Sequence, residues 1–167
     1  HMLSKIIVEL TRGDGFSDEE CQEATVSVKA KLKATIATEG STTTITETST
    51  ENDAVSIAMG VVGEAKATTS KFAVIIAPQT VSIPAKSGDV DGTYDLITIS
   101  IAGKTLIYQL KNNTEEEATK QFKSTEKYTY KLKVSMGGIK LRSETINDWD
   151  DKSGANNTDE TSNPLIL

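Results

Sequence analysis

From Val26 to Ile36 the chain alternates without interruption: Val26, Val28, Ala30, Leu32, Ala34 and Ile36 are apolar, while Ser27, Lys29, Lys31, Lys33 and Thr35 between them are polar. A repeat of two matches the pleat of a β-strand, whose successive side chains point to opposite faces, and no helix gathers such a set on one side. The segment is therefore expected to be one strand with a buried face and a wet face, its lysines lying outward and discouraging edge pairing. The pattern recurs. Ile97, Ile99 and Ile101 alternate with Thr98 and Ser100 up to Ala102-Gly103-Lys104, and Leu106, Tyr108 and Leu110 alternate beyond it, which predicts a β-hairpin. Tyr128, Tyr130, Leu132, Val134 and Met136 lead into Gly137-Gly138, two glycines suited to the positive φ angles of a tight turn, and a return strand runs from Ile139 and Leu141 toward Ile146 and Trp149.

The remaining segments fit the same plan. Ser4 to Leu10 reads as a first strand, followed by the turn Gly13-Asp14-Gly15 and by Ser17-Asp18-Glu19-Glu20, which can start one helical turn. The threonine-rich Ser41 to Thr50 suits an edge strand or an exposed ribbon. Ala54 to Val62 and Phe72 to Ala77, the latter stopped by Pro78, are compact apolar runs expected in the middle of a sheet. Gly88 to Gly92 marks a loop, and Asn112 to Lys120 a loop or a short helix. About eight or nine short strands with no strand–helix alternation predict an all-β fold, an antiparallel β-sandwich, over residues 3–150. Residues 151–167 are polar until the apolar Pro164-Leu165-Ile166-Leu167 and are expected to form a flexible C-terminal tail.

Composition enters through what it excludes. Aromatic residues are 5% of the 167 residues, so branched aliphatics must fill the core. The one histidine, His1, stands beside Met2 as a remnant of expression, which removes histidine-based triads, proton shuttles and zinc sites from consideration. Cys21 is the lone cysteine, so neither an internal disulfide nor a cysteine metal cluster is available. A net charge of −6 opposes nucleic-acid binding, which needs a basic face. No apolar run approaches the ~20 residues of a membrane span, and no leader pattern opens the chain, so the protein is read as cytosolic or as one whose leader has been removed. Paired carboxylates suited to glycoside hydrolysis are not identifiable. The expectation is a module that is not an enzyme and carries no cofactor.

Four features are candidates for binding. Asp89, Asp91 and Asp95 around Gly92 have the spacing of oxygen ligands for calcium, although a solvated turn accounts for them more simply and the loop lacks the pattern of an EF-hand. Trp149, flanked by Asp148, Asp150 and Asp151, is either a sugar-stacking platform or a lid on the core. Lys29, Lys31 and Lys33, and again Lys127, Lys131 and Lys133, either face an anionic polysaccharide or membrane or are the outward positions of amphipathic strands. Leu165, Ile166 and Leu167 form a candidate assembly segment, because an extended apolar peptide can add to a neighbour's sheet edge.

In the order Gly13-Asp14-Gly15-Phe16, Pro78-Gln79-Thr80-Val81, Gly103-Lys104-Thr105-Leu106-Ile107-Tyr108, Lys127 to Val134, Gly138-Ile139 and Ile146-Asn147-Asp148-Trp149, the chain resembles the fimbrillin family of Bacteroidetes, the subunits of their surface fimbriae. The resemblance spans about Ser4 to Trp149 and implies a transthyretin-like β-sandwich at the cell surface. It further implies export as a lipoprotein precursor attached to the outer membrane only through a lipid anchor later removed, and assembly with other fimbrial subunits by strand exchange. Family members commonly hold two sandwich domains, and this chain has room for one, which fits the C-terminal half of a longer subunit, a trimmed chain or a one-domain relative. A host or bacterial surface ligand is a further expected partner, and a carbohydrate-binding module is the alternative reading.

Overall fold

The computed structural model describes residues 2–32, 34–47, 54–63 and 69–149. In chain order the elements are β1 (Ser4–Arg12), α1 (Asp18–Gln22), β2 (Thr25–Lys31), β3 (Ala34–Glu39), β4 (Thr42–Glu47), β5 (Ala54–Ala58) and β6 (Gly60–Val61). There follow β7 (Thr69–Ile76), β8 (Gln79–Ile83), β9 (Gly92–Ile101), β10 (Lys104–Asn112), β11 (Ala118–Phe122), β12 (Glu126–Ser135) and β13 (Gly138–Asp148). One sheet runs β13-β12-β1-β7-β6, a second runs β10-β9-β2-β5, and β11-β8 and β3-β4 form two-stranded ribbons. The predicted sandwich is thus present. Every pairing is antiparallel except β1 with β12, which run parallel from Lys5 opposite Lys127 to Arg12 opposite Val134.

The core lies between the two main sheets. Ile6, Val8 and Leu10 of β1 and Tyr128, Tyr130, Leu132 and Val134 of β12 meet Val26 and Val28 of β2 and Leu96, Ile97, Ile99 and Ile101 of β9 in one buried cluster. Each fully buried aliphatic side chain contributes about 1.5–3 kcal/mol relative to exposure. In β9 both Leu96 and Ile97 are buried because the register with β10 slips between Tyr108 and Gln109, a bulge that inserts one residue and turns two neighbouring side chains inward. β1 is enclosed on its outer face as well, where Ile7 packs with Val62 and Ala73.

The turns follow local chemistry. Ala102 (φ 50°) and Gly103 (φ 72°) are both left-handed and close the β9–β10 hairpin between Ile101 and Lys104. The β12–β13 turn is centred on Met136-Gly137 rather than on the two glycines, and of these only Gly138 takes a positive φ. Ser17 caps α1: its hydroxyl accepts from the Glu20 amide at 3.1 Å while its own amide donates to the Glu20 carboxylate at 2.7 Å. At Gly92 an added Cβ would lie 1.7 Å from the Pro84 carbonyl oxygen, so the start of β9 can pass beneath that chain only as glycine.

Three expectations are corrected. Val26 to Ile36 is two strands, not one: β2 ends at Lys31, which is buried (6% exposed), and Leu32 (64%) and Ile36 (68%) face outward. The cause is a long-range clamp. The Gln79 side chain accepts from the Lys31 amide at 2.8 Å and donates to the Lys31 carbonyl at 3.3 Å, while the Lys31 ammonium donates to the Thr80 carbonyl at 3.1 Å. Ala54 to Val62 is not a sheet centre but the chain crossing between sheets, with β5 at one edge and β6 at the other, tied by Met59 N–H to the Val26 carbonyl and Val62 N–H to the Lys71 carbonyl. The loop expected through Lys120 gives way at Ala118 to β11, which β8 pairs across from Ile83. Of Phe72 to Ala77, by contrast, Phe72 and Ala73 are central as expected, between β1 and β6, while among the described residues Val74 to Ile76 pair with β1 alone.

Candidate assembly surface

Among the described residues neither main sheet closes on itself, so its outer strands are edges. Among the described residues β13, eleven residues long, pairs only with β12, and β10 only with β9. Such an edge carries a row of backbone donors and acceptors that an added strand can satisfy. The Leu141 and Ile146 side chains of β13 are exposed beside it. A cleft of about 440 Å³ opens where Ile45 of β4 faces Pro78, Gln79, Phe122 and Lys123 at the end of the β8–β11 ribbon.

Behind that cleft the buried polar groups tie strands together. The Tyr128 hydroxyl accepts from the Lys123 amide at 2.8 Å and lies against the Gln121 carbonyl and the Glu126 carboxylate. Burial first, then the bond to Glu126, push its pKa up to about 12. Tyr130 has its phenol raised further in the same direction, by burial and then by the Glu144 carboxylate that stands opposite it in the ladder. Phe122 meets the Tyr128 ring edge-on at 4.9 Å. Asn112, which the sequence did not single out, organises the loop that follows it: its amide donates to the Pro84 and Glu116 carbonyls and its oxygen accepts from the Thr114 amide and hydroxyl. The signal for it was present as an Asx-type turn at Asn112-Asn113-Thr114.

The candidate residues are placed as follows. Trp149 is 6% exposed, its amide donates to the Thr125 carbonyl at 2.5 Å, and the Lys5 ammonium stands 5.6 Å from its ring, so the indole is a lid and its faces are not offered to solvent. Asp148 is exposed beside it, and Asp150 and Asp151 lie outside the described residues. Asp89 is exposed in the turn that Ser87 and Val90 close and Asp91 is exposed just after it, while the Asp95 carboxylate, on β9, accepts from the Gln109 amide at 2.6 Å. Among the described residues no group of three or more His, Cys, Asp or Glu is arranged to hold a metal ion. Burial raises the Cys21 thiol pKa, which leaves it the unreactive protonated form. Leu165, Ile166 and Leu167 lie outside the described residues.

Among the described residues the chain is an open-edged sandwich whose buried polar groups hold strands to one another. The fimbrillin-like family model matches residues 1–149, and the chain belongs to that family. A solved structure of a candidate cell adhesion protein from Bacteroides uniformis is similar with a TM-score of 0.58 at 18% identity, over 90% of this chain and 51% of that one. A second, from Bacteroides ovatus, gives 0.52 at 14% identity over 90% and 46%. The chain thus spans about half the length of these structures, and at such identities the likeness establishes the fold alone. No curated protein matches the chain at a significant level. The family description and these structures name fimbrial and adhesion proteins rather than enzymes.

Proposed function

We infer that the chain is a subunit of a cell-surface fimbria, or a fimbrillin-like adhesin, that joins other fimbrial subunits by strand exchange. The observation that carries this reading is an open, eleven-residue edge strand in a member of the fimbrillin-like family. An edge of that length leaves backbone groups that one extended peptide satisfies together with its apolar side chains. The donor in this reading is the segment Leu165-Ile166-Leu167, eighteen residues after Trp149 by its end. Export as a lipoprotein precursor and attachment to the outer membrane belong to the same proposal. A sugar platform built on Trp149 is not supported by the burial of that ring.

The test compares the full chain with the L165D/I166D variant by size-exclusion chromatography and light scattering at rising concentration. The wild type is expected to form linear oligomers that a peptide of residues 158–167 inhibits, and the variant to stay monomeric. Identical behaviour of the two chains would remove the tail from the mechanism.

A further inference from the structure

The two lysine stripes that look alike in the sequence are separated by the fold. In the four-stranded sheet the Lys29 ammonium stands 5.1 Å from the Tyr94 ring and Lys31 is buried against Thr80, so both are engaged within the domain. In the five-stranded sheet the register does the opposite. Lys71, Glu9 and Lys131 are direct neighbours across β7, β1 and β12, and in the next outward row Lys133 faces Lys140 across β12 and β13. All of these alternate with core residues such as Phe72, Leu10 and Leu132, which places them together on the outer face.

In these paired rows four amines therefore stand with a single carboxylate. Glu9 is divided between Lys71 at 3.7 Å and Lys131 at 3.5 Å. Among the described residues no carboxylate pairs with Lys133 or Lys140, which oppose each other directly, an arrangement that costs the isolated domain stability. Thr11, Thr69 and Ser143 put hydroxyls among the amines in the same rows, which among the described residues hold no aromatic or exposed apolar side chain.

We propose that this outer face, with Lys71, Lys131, Lys133 and Lys140 as its cationic contacts, binds a linear anionic polysaccharide. Charge complementarity selects a polyanion. In backbone position Lys133 and Lys140 are one strand spacing, about 5 Å, apart, Lys131 lies about 7 Å along β12 from Lys133, and Lys71 is two strand spacings, about 10 Å, from Lys131, a spread that suits an extended chain of acidic sugars lying across the sheet with its hydroxyls bonded to Thr and Ser. Nucleic acid is disfavoured because no ring is available for base stacking. A membrane is disfavoured because no apolar residue stands among the lysines to enter it. The net charge of −6 does not oppose a local contact, since screening limits the remaining carboxylates to a reach of about 8 Å at physiological salt. The inference is independent of strand exchange, because the isolated chain carries the whole surface.

The experiment measures binding of the full chain to immobilised chondroitin sulfate, with dextran as the neutral control and phosphatidylglycerol vesicles as the membrane arm. Wild type is expected to bind chondroitin sulfate and not dextran at about 50 mM NaCl, and to release it by about 300 mM. K131Q/K133Q/K140Q is expected to weaken binding roughly tenfold or more, and K104Q/K111Q/K123Q, which removes as many charges elsewhere, to change it less than about twofold. Melting curves identify any misfolded variant, and K140Q alone, at an exposed edge, then carries the same test at smaller amplitude. Absence of wild-type binding, equal loss in both triple variants, or binding to vesicles without binding to chondroitin sulfate would each overturn the proposal.

Discussion

Gln79 is the residue whose loss should be felt furthest along the chain. Its side chain is buried and makes three hydrogen bonds, accepting from the Lys31 amide and donating to the carbonyls of Lys31 and Ala77. Gln79→Ala deletes all three at about 1 kcal/mol net each, and desolvated backbone groups at Lys31 raise the total to about 3–4 kcal/mol. Against an overall stability of about 5–15 kcal/mol this is a large fraction. For a chain of this size it corresponds to a melting temperature lower by about 10 °C. Urea unfolding followed by fluorescence of Trp149, the one tryptophan and a buried one, measures it directly. Hydrogen exchange at the Lys31 amide should accelerate in the variant while that of Val28, deeper in β2, changes only with global stability. A loss below about 1 kcal/mol, with Lys31 protection unchanged, would refute the claim that Gln79 ends β2 and turns Leu32 outward.

Two other outcomes are expected. Gly92→Ala should cost about 3 kcal/mol, because the new methyl group meets the Pro84 backbone and not a movable side chain, and a melting curve within error of wild type would contradict that close approach. Tyr128 and Tyr130 hold their protons more tightly folded than unfolded, so stability is full below the ordinary tyrosine value near 10 and falls as pH rises from there toward about 12. Each contributes a slope of about 1.4 kcal/mol per pH unit in that window. Urea midpoints at successive pH values, read with phenolate absorbance, should fall together with a late, cooperative ionisation, and a flat midpoint above pH 10 would exclude it.

How much was legible divides along the range of the forces involved. Alternation in Ile97 to Leu110 and in Tyr128 to Val134, the Ala102-Gly103 turn and the Ser17 cap were readable because each is set within a few residues by side-chain direction or by φ. Membership of the fimbrillin-like family was readable for a related reason, since its ordered short motifs fall at those same turns and strands. The sequence could not tell Ala54–Ala58, an edge, from Thr69–Ile76, a centre, because both are short apolar runs and only pairing partners distinguish them. Nor could it separate Lys31, clamped in the interior by Gln79, from Lys131 and Lys133, which stand outside beside Lys71 and Lys140. A period of two establishes that a strand has two faces. Which face is covered, and by what, is decided only when strands distant in sequence come into register, because burial and ion pairing are properties of neighbours that the local chain does not contain.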